Sequence, residues 1–293
     1  MYALVALGYT LVYGIIELIN FAHGEIVTFG AFVGLAVLAA LAGTPLSAAA
    51  TALPAAFLVS MAVTALLGVT LERFAYRPLR GADRLMALIS ALGASIFLMN
   101  AMMLAIGRDS KPFPAYLSEP VLQRGDLVVR QLDLFLIGLT ILLCALLDLF
   151  VRRTRIGRAM RSVAQDQEAA RMCGVSVNAT VSITFVLGSA MGAAAGILNG
   201  LYYGVIRFDM GFLLGIKAFT AAVLGGIGNL RGAVVGGFVL GISESLIPAI
   251  LAAPPFSVPE IFDYKDAVAF GILILVLMVK PSGILGEEVP EKA

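Results

Sequence analysis

Long apolar runs fill most of this chain, and its polar residues gather in short stretches between them. At 1.5 Å rise per residue, a helix that crosses a bilayer needs about 20 apolar residues. Nine segments are candidates: Met1 to Phe21, Ile26 to Ala42, Ala52 to Leu71, Leu85 to Ile106, Leu132 to Val151, Thr180 to Tyr203, Phe212 to Leu224, Ala233 to Ala252 and Ala267 to Val279. The seventh and ninth are short. A 13-residue run such as Phe212 to Leu224 covers only about 20 Å, less than the roughly 30 Å hydrocarbon core, which predicts a half-helix or re-entrant segment.

Two of the joins look alike. "INFAHGE" links the first and second segments and "LGGIGNLRG" the seventh and eighth; both are short, polar and glycine-bearing, and both precede a run rich in Gly, Ala and Val. Interrupted helices in corresponding positions of two pseudo-related halves mark the pathway in many transporters. Glycine is also common at helix packing faces and tight turns, so the pattern alone leaves both explanations open.

Lys and Arg set the orientation. Glu72 to Arg84 carries Arg73, Arg77, Arg80 and Arg84 against Glu72 and Asp83, and Arg152 to Arg171 carries six arginines against Asp166 and Glu168. Both loops are placed in the cytoplasm. Gly107 to Asp133 is balanced in charge, and "PPFSVPEIFDYKD" (254 to 266) is net acidic; both are placed outside. Alternation then puts "GGIGNLRG" and the tail 287–293 inside and the start of the first helix outside. An outside start without a signal sequence suggests that a further helix precedes it, or that the first segment enters unusually.

Composition agrees with a membrane protein. Of 293 residues 60% are hydrophobic and 13% charged, with a mean hydropathy of +0.98, against about 25% charged residues in soluble domains. The apolar segments recur throughout, which predicts one membrane domain with no soluble appendage large enough for its own core. The net charge of +1 predicts no nucleic-acid partner. "MYALVALGYTLVYG" lacks a basic n-region and a small-residue cleavage site, so it is taken as a retained spanning segment rather than a removable signal. Cys144 lies in an apolar run and Cys173 in the basic loop, and both are expected as free thiols.

Enzyme chemistry finds little material. The single histidine, His23, stands without a zinc or nucleophile motif, and "GGIGNLRG" fails the phosphate-cradling glycine patterns. No metal site or cofactor is expected, and any ATP that powers the protein is hydrolysed on another chain. Charges inside apolar runs are expensive in a membrane, so Glu17, Asp148, Lys217 and Glu244 should face partners or water. For Asp148 an i,i+4 ion pair with Arg152 is expected. Lys217 and Glu244 serve a pathway or pair helices. His23 is either a proton relay or, with Asn20, a group that satisfies backbone where the helix breaks; the second is preferred. In "RRTRIGRAMRSVAQDQEAARMCGV" (152 to 175), Arg155, Arg158 and Arg161 recur on one side of a helix, and the segment suits a short helical hairpin shown to anionic lipid or to another protein.

Four stretches together resemble the permease subunits of ATP-binding-cassette importers for branched-chain amino acids: "ALGYTLVYGIIELINFAHGE", "RTRIGRAMRSVAQDQEAARMCGV", "GIKAFTAAVLGGIGNLRGAVVGG" and "VKPSGILGE". The resemblance runs from residue 1 to about residue 286 and implies an all-α polytopic permease domain of eight or nine spanning or half-spanning helices. It implies a multi-pass protein of the bacterial inner membrane, half of a pore for branched-chain or related small aliphatic or amide amino acids. The implied partners are a second homologous permease, two cytoplasmic ATP-binding subunits that carry the ATP, and a periplasmic or lipid-anchored binding protein. Loop 152–178 becomes the ATPase-coupling loop, with Arg155, Gly157, Arg158, Glu168, Ala169, Ala170 and Gly174 as its key positions. The E-A-A-x-x-x-G spacing is present at 168–174, but "ITFV" (183–186) stands where many permeases have I-x-L-P. The pathway is assigned to the two joins and the buried charges: Asn20, His23, Glu25, Lys217, Gly225, Gly226, Asn229 and Glu244. The rival from another class is an ion-coupled secondary transporter or channel working through Glu17, His23, Lys217 and Glu244.

Overall fold

In the computed structural model, residues 1–124, 127–253 and 264–286 are described, and among them the chain is almost wholly helical. The helices are α1 (Tyr2–Ile16), α2 (His23–Leu41), α3 (Ala49–Leu71), α4 (Arg84–Ile106), α5 (Gln131–Arg153), α6 (Arg155–Gln165), α7 (Gln167–Met172), α8 (Val177–Tyr203), α9 (Met210–Gly225), α10 (Leu230–Ala252) and α11 (Lys265–Val279). Two small antiparallel ladders accompany them. β1 (Lys111–Pro112) pairs with β4 (Val205–Ile206), and β2 (Pro120–Arg124) pairs with β3 (Leu127–Arg130). The predicted outside segment 254–266 lies largely outside the described residues, and the tail 287–293 wholly so.

Among the described residues, six stretches are long and apolar enough to cross a membrane: 23–41, 49–79, 85–106, 131–153, 177–203 and 230–252. The expected half-helix is α9, whose 16 residues reach about 24 Å. The first segment needs correction. Expected as a span from Met1 to Phe21, it is helical only to Ile16, because Glu17 turns into the left-handed region at φ 54° while its N–H still closes on Tyr13 O at 2.8 Å. Leu18, Ile19 and Phe21 beyond it are apolar, so the hydrophobic run continues where the helix does not. The second helix also begins earlier than expected, at His23, which puts His23 and Glu25 in its first turn.

The core forms around α8, buried over 78% of its central window against 22% for α4, α5 and α10. α8 packs against α1, α2 and α3. Its small-residue face "GSAMGAAAG" permits this, since helices in lipid associate through close backbone approach rather than a hydrophobic drive. A Cβ at Gly196 would run into the Val27 carbonyl, one at Gly30 into Ala193, and one at Gly24 into the Gly211 carbonyl on α9. Outer faces of α4 and α5 expose Leu85, Ile89, Phe97, Leu134, Ile137 and Ile141, as expected of surfaces that meet lipid or another membrane chain.

Contacts sort the connections into two ends. The β1–β4 ladder joins the loop after α4 to the chain leaving α8. At the opposite end lie the turn after α3, the α6–α7 hairpin, the start of α8 and the α9–α10 turn, tied by Arg80 to Asn178 (2.8 Å), Gln167 to Ile15 O (3.4 Å) and Arg231 to Asp148 (3.3 Å). The arginine-rich loops thus share one end. After Leu71 the helical path continues through a π-turn (Glu72–Tyr76) and a 3₁₀ turn (Arg77–Leu79).

Candidate functional site

The α1–α2 break folds back into the bundle. Asn20 is 2% exposed, and His23 and Glu25 are 1% exposed. The His23 ring lies 4.9 Å, edge-on, from Tyr9 and against Gly8, where any side chain would displace it. Asn20 Oδ1 accepts the Tyr76 phenol at 2.6 Å, and Glu25 Oε1 accepts the Ser95 hydroxyl at 3.4 Å. Hydrogen-bonding capacity remains unspent here: Asn20 Nδ2, His23 Nε2, Glu25 Oε2, Thr10 Oγ1 and Thr28 Oγ1 are buried without a hydrogen-bond partner among the described residues. Such groups are costly in a low-dielectric interior.

The α9–α10 turn is satisfied instead. Asn229 Oδ1 caps α10 through the Arg231 and Gly232 amides at 3.0 and 3.1 Å, and its Nδ2 donates to Leu285 O at 2.8 Å. The last carbonyls of α9, Leu224 and Gly225, accept the amides of Ile284 and Leu285, each at 2.9 Å. Gly226 has φ 105°, and the backbone of Gly286 occupies the space a side chain would need. The "PSGILG" segment therefore seals this turn, and Gly225, Gly226 and Asn229 are used in closing it. Gly14 of α1 packs on Gly228, so the two breaks touch.

Lys217 and Glu244 meet across α9 and α10. Lys217 Nζ lies 2.7 Å from Glu244 Oε1 and 2.5 Å from Asp266 Oδ1 on α11, with the Tyr2 ring centroid 6.0 Å away. The Lys217 and Glu244 side chains are 6% and 10% exposed. A cavity of about 770 Å³ opens beside them, lined by Tyr2, Asn199, Tyr203, Gly241, Glu244 and Lys265 among others. A second, of about 420 Å³, shares Tyr2, Asn199, Tyr203 and Lys265 and includes Lys217, Arg207 and Asp209. Asp266, Tyr2, Asn199 and Tyr203 were not singled out from the sequence; the lysine and glutamate inside apolar runs were the signal that led here.

The basic segment is a helical hairpin, as its pattern predicted. Thr154 Oγ1 caps α6 through the Gly157 amide (3.0 Å), Asp166 Oδ1 caps α7 through Glu168 (2.8 Å) and Ala169 (3.0 Å), and Ser176 caps α8. Gly174, at φ 81°, ends α7 with Val175 N bonded back to Ala170 O at 2.9 Å. Gly157, Met160, Val163 and Ala170 turn inward, whereas Arg155, Arg158, Glu168, Ala169, Met172 and Gly174 are exposed. Gly157 presses on the Val151 backbone and Arg161 donates to Val151 O, fixing α6 to α5. Asp148 makes the expected bond to Arg152, at 2.9 Å, and also receives Arg231.

Nearby, the Glu72 carboxylate is 1% exposed and holds Arg80, with Ser182 Oγ donating at 2.8 Å and the Arg77 guanidinium as a looser ion-pair neighbour at 3.9 Å. Burial pulls the Arg80 guanidinium below its ordinary value, Glu72 opposes that shift, and neighbouring Arg77 adds to it. Cys144 is buried and Cys173 exposed, both free. Among the described residues no His, Cys, Asp and Glu gather in a group of three or more that could hold a metal.

Broken helices packed through glycines, with paired charges inside the bundle, define a polytopic helical membrane protein of the transporter kind. Residues 1–277 match the family model for the branched-chain amino acid transport system permease component. The chain is 44% identical to the high-affinity branched-chain amino acid transport system permease protein BraD of Pseudomonas aeruginosa, over 99% of this chain and 93% of that one. It is 42% identical to LivH of Escherichia coli K12 over the same shares, and 29% identical to a probable LivH of Methanocaldococcus jannaschii over 97% and 88%. No solved structure matches. The chain belongs to the family of branched-chain amino acid transport permease components. It is accordingly a transport subunit rather than an enzyme, and membership supports the permease reading, not the ion-coupled carrier.

Proposed function

We propose that this chain is the inner-membrane permease of an ATP-binding-cassette importer and forms half of the translocation pathway for branched-chain amino acids. A second homologous permease supplies the other half. Two cytoplasmic ATP-binding subunits bind the α6–α7 hairpin and hold the ATP, so this chain needs no cofactor of its own. A periplasmic or lipid-anchored protein delivers the substrate. The observation that carries the proposal is the likeness, over 99% of the chain, to permeases named for branched-chain amino acid transport.

In this reading each part has a role. Arg155, Arg158, Glu168, Ala169 and Gly174 offer an exposed face, while Gly157 and Ala170 anchor it. Movement of that face reaches the bundle, because the hairpin is bonded to α1 and α5. The pathway follows the buried polar groups Asn20, His23 and Glu25 and the Lys217–Glu244 pair, beside cavities walled largely by apolar side chains. Gly225, Gly226 and Asn229 hold the turn that flanks it.

The test is purification from native membranes with a C-terminal tag, then uptake of radiolabelled leucine, isoleucine and valine into proteoliposomes. A co-purifying second permease and ATP-binding chains, with uptake that needs ATP and a binding protein, is the expected result. A lone chain that moves these amino acids on an ion gradient overturns the proposal.

A further inference from the structure

The sequence offered Glu72 and Tyr76 only as parts of a basic loop, yet both are 1% exposed and both are spent on specific partners. They are the first and last residues of the π-turn that follows α3. A π-turn closes i→i+5, and such wide turns recur at functional sites. Two side chains four residues apart share one face, and here both reach partners on α8.

One end of this turn grips the hairpin's exit. Glu72 accepts Ser182 at 2.8 Å and holds Arg80, whose Nη1 donates to Asn178 Oδ1 at 2.8 Å. Asn178 and Ser182 belong to the first two turns of α8, directly after the Ser176 cap and the left-handed Gly174 that ends α7. The other end grips the α1–α2 break. Tyr76 packs its ring 5.3 Å from Phe185 and donates its hydroxyl to Asn20 at 2.6 Å. On the opposite flank of the break, Gln167 of α7 donates to Ile15 O at 3.4 Å. The hairpin thus holds the break from both sides, once directly and once through the end of α3. Asn20 Nδ2 is buried without a partner among the described residues, so an arrangement that supplied one would gain a bond that this one lacks.

We propose that the chain of contacts from Asn178 through Arg80 and Glu72 to Tyr76 and Asn20 transmits movement of the α6–α7 hairpin to the α1–α2 break, making Glu72 and Tyr76 positioning residues for transport. The inference rests on the importer proposal, which gives the hairpin something to move it.

The test uses the whole transporter in proteoliposomes with its binding protein and radiolabelled leucine, reading leucine moved per ATP hydrolysed. Tyr76→Phe keeps the ring and removes one hydrogen bond; Glu72→Gln keeps the shape and removes the charge. Both are expected to assemble and to hydrolyse ATP at near the parent rate. Leucine moved per ATP falls about fivefold in Tyr76→Phe, the scale of one lost hydrogen bond, and further in Glu72→Gln. Asn20→Ala combined with Tyr76→Phe gives no larger fall than Asn20→Ala alone, because both remove the same bond. Should Glu72→Gln fail to assemble, Tyr76→Phe still decides the matter. A Tyr76→Phe transporter with the parent ratio of leucine to ATP overturns the relay, as does a fall matched by loss of assembled complex. An unmodified transporter whose leucine uptake ignores ATP overturns the importer proposal itself, and that result is visible without any variant.

Discussion

The two breaks occupy corresponding places, each joining a short helix to a long one, but they are finished differently. The α9–α10 turn has its helix end carbonyls paired with 284–285 and its next helix capped by Asn229. The α1–α2 break leaves Asn20 Nδ2 and His23 Nε2 buried and unpaired among the described residues, as is Thr10 Oγ1 within α1. Buried polar groups without partners raise the energy of the conformation that contains them; at the second turn only the Ser282 hydroxyl of the sealing segment is left so among the described residues, while the turn's own backbone and Asn229 are paired. The contrast marks the second break as the better-bonded pivot and the first as the less satisfied element, with the end of α1 packed against that pivot through Gly14 and Gly228.

Breaking the pivot half should have the larger effect. Lys217→Met leaves Glu244 charged and uncompensated inside the bundle, with the partly exposed Asp266 screened by solvent, and loss of one partner from a buried ion pair costs about 3–5 kcal/mol. The expected outcome is a sharp fall in the thermal midpoint of the purified protein, with partial recovery when Glu244→Gln is added; a midpoint equal to the parent's shows that α9, α10 and α11 do not depend on the cluster. A smaller loss follows at the turn itself. Asn229→Ala removes the α10 cap and the bond to Leu285, costing about 1–2 kcal/mol, and should speed proteolysis after Lys280. An unchanged digestion pattern counts against a sealed turn.

The smallest effect belongs to α1, the helix that enters the first break. Thr10→Val replaces an unpaired buried hydroxyl with a methyl group of the same shape, which should leave the midpoint unchanged or raise it by the equivalent of up to about 1 kcal/mol. If the variant is instead less stable, Thr10 has a partner and the contrast between the two halves narrows.

Much of this architecture was legible in residue order. Apolar runs gave the spanning helices, and glycines with polar neighbours marked both breaks. Arg155, Arg158 and Arg161, recurring on one side of a helix, marked the hairpin, whose two helices the structure shows capped by Thr154 and Asp166. What escaped depends on distance along the chain or on backbone states that carry no composition signal. Glutamate has no preference for the left-handed region, so nothing at Glu17 announced that α1 stops. Tyr76 meets Asn20 across 56 residues, and Leu285 meets Asn229 across another 56; no local periodicity encodes either. "PSGILG" was visible as a stretch shared with a family, but its use as a seal on α9 required the fold. Lys217 and Glu244 stood out by charge, while Asp266, near the start of α11, looked like an ordinary loop acid.

The central place of α8 also has a consequence in time. α1, α2 and α3 lean on a helix that the ribosome reaches only after residues 72–176 have been made. At roughly 5–20 residues per second, the early helices wait about 5–20 s with His23 still without the α8 backbone at Gly192 that packs against it. The nascent N-terminal quarter therefore needs shelter at the insertion machinery during synthesis, and a slowed or truncated chain that never delivers α8 leaves a target for membrane proteases.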